Sequence, residues 1–127
     1  MAQDYRDLVV WQKAIALTVC VYKLTRSLPK DEHYGLSSQM RRASVSIASN
    51  IAEGRGRLNS AEFRQFLGFA QGSTYELQTQ LVAKSLQFVK SEELAQAMLL
   101  SEVSKILSSF IRTLSTANDK KKLLTRS

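Results

Sequence analysis

The chain has one cysteine, one proline, one histidine and one tryptophan among its 127 residues, and only five glycines. Each scarcity excludes a class of protein. A lone thiol, Cys20, closes no internal disulfide, so a stapled secreted scaffold is excluded and a reducing compartment is the natural setting. Cys20 also lacks the local basic partner that a reactive thiol needs. The single histidine, His33 in the loop PKDEHYG, cannot supply the paired Glu-x-x-His ligands of a di-iron helical bundle, and no Ser/His/Asp or Cys/His arrangement has support. The GRG at 54–56 is too short for a phosphate-binding loop. The expectation is therefore no metal, no cofactor, no catalytic residue and no enzyme activity. No apolar run is long and uncharged enough to span a bilayer. The start MAQDYRDLVVW places acids ahead of its apolar residues, which does not read as a secretory signal. A cytoplasmic location without membrane contact follows as an expectation.

What is present is an ordinary globular composition with a basic excess. Hydrophobic residues make up 44% and charged residues 23%, which suits one domain with a real core. The formal net charge is +7. Residues 1–35 hold five bases and four acids, 36–64 five and two, 65–117 four and four, and 118–127 four and one. The excess thus sits around residues 41–64 and in the terminal NDKKKLLTRS. Such patches attract polyanions without any sequence readout, or serve solubility alone.

Helical periodicity dominates the pattern. Val10, Ala14, Leu17, Val21, Leu24 and Leu28 recur at spacings of four and three, the seam of a helical bundle, beside a second stripe of Trp11, Ile15, Thr18, Tyr22 and Thr25. A face that wide needs at least two neighbours. Asp7 is the expected cap of this first helix and Pro29 its terminator. The second helix is expected from about Leu36 to Gly54, with Leu36, Met40, Ala43, Ile47 and Ile51 as core. Arg42, Ser46, Ser49 and Glu53 form a separate strip, and Arg41, Val45, Ala48 and Ala52 a third side. The small residues there suggest cover by another subunit.

Gly54 and Gly56 are expected to break that helix, and Asn59 with Glu62 has the form of a capping box. A third helix follows with Phe63, Phe66, Ala70, Ser73, Leu77 and Leu81 in rhythm, while Gly68 and Gly72 suggest a tight helix crossing. Arg64, Glu76 and Lys84 mark it as a helix of a water-soluble protein. A fourth helix is expected to start at the cap Ser91, with Glu92 and Glu93 near its positive end. Its core side is Leu100, Val103, Leu107, Phe110 and Leu114. The expectation is an all-α fold, an antiparallel up-and-down four-helix bundle over residues 1–117, followed by a basic, frayed tail at 118–127.

If the second and third helices form a hairpin, Glu76 lies near Arg42, close enough for an ion pair. Arg41, Arg42, Ser46, Ser49, Asn50, Glu53 and Glu76 then belong to a structural or assembly network. Arg55, Arg57 and Arg64 cluster at the hairpin end with few acids, and with Lys120, Lys121 and Lys122 they are the candidates for phosphate contacts to RNA or DNA. The alternative is a scaffold whose basic residues answer an acidic protein partner. No aromatic stacking platform or groove-reading motif is evident, so specificity is expected to be low.

The runs DLVVWQKA, LPKDEHYGLSSQMRRASVSIASNIAEGRGR, EFRQFLGFAQGS and YELQTQL, in that order, resemble the signature of the four-helix-bundle family encoded by intervening sequences of bacterial 23S ribosomal RNA genes. The resemblance covers roughly residues 5–115. It is strongest at Gln39, Arg41, Arg42, Ser46, Ile47, Asn50, Ile51, Ala52, Glu53 and Gly54. Where members of that family often show Glu-Thr-Gln-Leu, this chain has Gln78 before Thr79. The resemblance implies a ring-like homo-oligomer, a pentamer. The chain is similar too to the accessory proteins of diversity-generating retroelements, basic pentameric bundles that associate with nucleic acid and reverse transcriptase. Encoding within a ribosomal RNA gene describes where a gene lies and does not identify a ligand.

Overall fold

The helices stop where the sequence loses helix formers. In the computed structural model, which describes the backbone of residues 4–32, 35–87 and 93–126 and the side chains of 4–31, 35–84 and 96–115, α1 spans Val9–Arg26, α2 Leu36–Arg55, α3 Ser60–Gln87 and α4 Glu93–Arg126. Two 3-10 turns, Tyr5–Asp7 and Lys30–Glu32, precede α1 and α2. No strand occurs among the described residues. The fold class expected from periodicity is therefore found as four helices in an all-α protein. His33, the Ser91 cap and Glu92 fall outside the described residues.

Helix ends differ from expectation in two places. Asp7 does not cap α1, because it closes the 3-10 turn; the residue at the cap is Leu8, which has no side-chain bond to offer. Asp4 caps the 3-10 turn, accepting from the Arg6 N–H at 2.9 Å, and α1 has no side-chain cap. Gly54 does not break α2, which continues through Arg55 to a cap at Gly56. The capping position Asn59 does act, its Oδ1 accepting from the Glu62 N–H at 2.8 Å. At the other end of the chain, helical backbone continues through 118–126, the stretch set apart from sequence as a frayed tail.

Cross-helix contacts define the register. Thr25 Oγ1 accepts from Arg41 Nε at 2.8 Å, and Thr18 Oγ1 lies 3.3 Å from the Ser44 carbonyl. Ser46 and Ser73 hydroxyls meet at 2.9 Å, while Gly54 lies against Phe63 and Phe66. Gln71 Nε2 donates to Ser108 Oγ at 2.7 Å, and the Phe63 and Phe110 rings meet edge to face at 5.0 Å. Lys13 pairs with Glu102, and Gln96 Nε2 reaches the Cys20 carbonyl at 3.5 Å. In every pair the numbers rise along one helix as they fall along the other. The first helix touches both α2 and α4, as its wide apolar face requires.

The core follows the expected seams on α1, α2 and α4. Leu17, Val21, Met40, Ile47, Ile51, Val103 and Leu107 are fully buried. The third helix buries the expected Phe63, Ala70, Ser73 and Leu77, but its buried face also takes in Leu67 and Thr74, while Phe66 and Leu81 are only partly buried. Its inner stripe continues through Gln80 to Lys84, which is buried rather than solvated. Lys84 sits seven residues after Leu77, two turns along the same stripe, so the period carries it inward.

Close helix approach occurs at Gly54 and not at the Gly68/Gly72 notch. A Cβ on Gly54 would lie 2.6 Å from Phe66 Cβ, whereas one on Gly68 or Gly72 would meet nothing within 4 Å. Gly68→Ala and Gly72→Ala are therefore each expected to stabilise the protomer by about 1 kcal/mol through helix propensity. A raised urea midpoint at unchanged slope would show it. A lowered midpoint would mean that this face is closed against something beyond the protomer.

Candidate nucleic-acid interface

The α2–α3 hairpin is tight because Gly54 lets the helices touch, and this places the arginines at its end against aromatic rings. Arg55 lies over Phe63 with its Cζ 5.9 Å from the ring centroid, and Arg57 over Phe66 at 4.5 Å. Arg57 Nη2 also pairs with Glu53 Oε1 at 2.9 Å. A guanidinium stacked by its face keeps its N–H edge for an acceptor, so stacking orients these groups without using them up. Ion pairing offsets the charge of Arg57, which leaves Arg55 and Arg64 as the stronger cations. Arg64 is exposed and has no ion pair or side-chain hydrogen bond among the described residues.

Topology adds the second basic segment to the same end. Phe110 stands beside Phe63, near the start of α3, and α4 runs on from Leu114 to Arg126. At 1.5 Å per residue that is about 18 Å of helix past the hairpin. Lys120, Lys121 and Lys122 lie on it, with side chains outside the described residues. The start of α1 is at this end too, since Tyr5 and Ala52 line one groove. There the exposed Arg6 guanidinium is held above its ordinary value, first by its side-chain hydrogen bond with Tyr5 and then by Asp4.

The adjacent Arg41 and Arg42 have separate surroundings. Arg41 turns toward α1, donating to Thr25 and stacking over Tyr22 with Cζ 4.7 Å from the centroid. Arg41→Ala is expected to cost about 2 kcal/mol, the scale of a hydrogen bond from a charged group, and to leave polyanion binding unchanged. Thermal unfolding beside a binding titration separates the two. Arg42 faces away from α1 and does not form the expected ion pair with Glu76; the two line one cleft without bonding. One helical residue turns about 100°, enough to give neighbours different partners.

Ser46 and Asn50 join a polar contact between α2 and α3. Asn50 Nδ2 donates to the Ser46 carbonyl at 2.9 Å and to Ser46 Oγ at 3.0 Å, and Ser46 meets Ser73. Ser73 was legible only as a core position. Ser49 is exposed, and Glu53 serves Arg57. Ala48 and Ala52, expected to await another subunit, instead lie beside α1 of the same protomer: Ala48 is buried, and both line a groove of about 220 Å³ with Trp11, Ile15 and Thr18. Small residues there allow α1 to approach.

Four long helices with no strand among the described residues define an all-α protein with one basic end. The chain belongs to the 23S rRNA-intervening sequence protein family, whose family model matches residues 6–109. It is similar in fold to the crystal structure of a protein of unknown function from the S23 ribosomal protein family of Bacteroides thetaiotaomicron. That likeness has a TM-score of 0.74 at 23% identity, covering 81% of this chain and 98% of the other. No curated protein matches the chain. None of the described helices is long and apolar enough to cross a membrane.

Proposed function

We propose that this protein is a non-enzymatic homo-oligomer of antiparallel up-and-down four-helix bundles that binds RNA or DNA phosphates through its basic end, with ribosomal RNA as the natural candidate. The carrying observation is that the two basic stretches, separated by more than fifty residues in sequence, share one end: Arg55, Arg57 and Arg64 at the hairpin and Lys120–Lys122 on the α4 extension. Each phosphate contact releases counterions, so charges gathered at one end act together on one backbone. Family membership ties the chain to 23S ribosomal RNA through gene location, which makes that RNA the first ligand to try. Assembly is supported by apolar side chains that the protomer leaves exposed away from the face of the Arg42 and Glu76 cleft, Val9 at 58% and Val19 at 49% on α1 and Met98 at 61% on α4. A five-membered ring is the assembly that the family resemblance suggests.

Purification tests the reading. Nucleic acid is expected to accompany the protein at low salt, seen in the ultraviolet absorbance ratio, and to leave at high salt, while light scattering gives a mass several times that of the protomer. Protein free of nucleic acid at low salt, accompanied by an acidic protein, would favour the scaffold reading instead.

A further inference from the structure

The cleft between α2 and α3 stands out because its two charges do not neutralise each other. It measures about 360 Å³ and is lined by Gln39, Arg42, Ala43, Ser46 and Glu76. Arg42 and Glu76 are exposed, of opposite sign and on the same cleft, yet neither makes an ion pair with any described residue. The groups around them are held in place. Arg41 is bound to Thr25 and Tyr22, and Ser46 is fixed by Ser73 and Asn50. The site therefore has a fixed polar floor with one free cation and one free anion.

Ligand charge narrows what such a site can take. A phosphate alone suits Arg42 and is repelled by Glu76, and an ammonium group meets the reverse problem. A neutral planar group with two adjacent donors on one edge and two adjacent acceptors on another suits both. Guanine has that pattern: N1–H and the N2 amino group face a carboxylate, while O6 and N7 accept the fork of a guanidinium. Adenine, cytosine and uracil lack the paired donors that a carboxylate takes with both oxygens. We propose that this cleft binds an unpaired guanine base, Glu76 accepting from N1–H and N2–H and Arg42 donating to O6 and N7. The inference rests on the nucleic-acid reading above and adds a base choice to it. Arg42 precedes Arg55 on α2 by about 20 Å of helix, the distance a single strand covers between the basic end and the cleft.

The test uses the full chain and labelled RNA hairpins of one stem, their uracil loops carrying a single central guanine, adenine, cytosine or no substitution. Fluorescence anisotropy is expected to show the guanine loop binding about tenfold tighter, the scale of one good bidentate contact. Glu76→Gln and Arg42→Gln, both at exposed positions, are expected to remove that preference while leaving the salt dependence of uracil-loop binding in place. Equal binding of all four loops with normal salt dependence would overturn the guanine site and leave the phosphate reading standing. A changed oligomer mass in Glu76→Gln, with no base preference in the parent, would overturn it in favour of a subunit contact. Absence of binding to every loop at low salt would remove both readings.

Discussion

Gly54→Val is expected to destabilise the protein by about 3 kcal/mol, the upper range for overpacking a filled site. Even a bare Cβ would fall 2.6 Å from Phe66 Cβ, 3.1 Å from Phe63 Cδ1 and 3.3 Å from the Phe63 carbonyl. A Cβ and a carbonyl are rooted in the α3 backbone and cannot swing aside, so α2 and α3 must separate at the hairpin. Alanine gains about 1 kcal/mol of helix propensity over glycine, which offsets part of the clash. Gly54→Ala is thus expected to lose less than valine, yet still to lose. Urea unfolding decides it: a stabilising Gly54→Ala, resembling the expected Gly68→Ala, would show that the helices do not approach closely here. Because Phe63 and Phe66 also carry Arg55 and Arg57, the valine variant is expected to weaken polyanion binding as well.

Replacing Arg55, Arg57, Arg64, Lys120, Lys121 and Lys122 together by glutamine is expected to lower affinity for duplex DNA or structured RNA by roughly a thousandfold near physiological salt, given six phosphate contacts. Stability is expected to change little, because Arg64 is exposed and the one ion pair lost among the described residues, Arg57 with Glu53, is an exposed i,i+4 pair. Circular dichroism checks that the helices persist. Unaltered affinity in a folded variant would move the contact surface elsewhere on the chain. The hairpin and α4 triplets, replaced separately, are expected to weaken binding less than the combined change.

Much of this architecture can be read along the chain, and the exceptions have physical causes. The α1 seam from Val10 to Leu28 is legible because every buried position there but Thr25 is apolar. The inner stripe of α3 is legible only in part: Phe63, Ala70, Ser73 and Leu77 follow the period, but Gln71, Thr74, Gln80 and Lys84 interrupt the hydrophobic pattern that such reading depends on. Glycine and alanine report that something can come close without saying what does. Gly54 meets α3, Gly68 and Gly72 meet open space, and Ala48 meets α1, although all four looked alike as small residues. The Arg41 and Arg42 roles separate only when α1 is in place. Charge counts locate two basic stretches, but topology is needed to bring the α2–α3 hairpin and the last turns of α4 to one end.

The most direct measurement is fluorescence anisotropy of labelled structured RNA and duplex DNA against the intact protein across a salt series. With six phosphate contacts, log affinity is expected to fall linearly with log salt at a slope of about −5 for duplex DNA. No binding even at low salt would contradict a polyanion-binding basic end, make the charge a solubility feature, and leave an acidic protein partner as the reading to pursue.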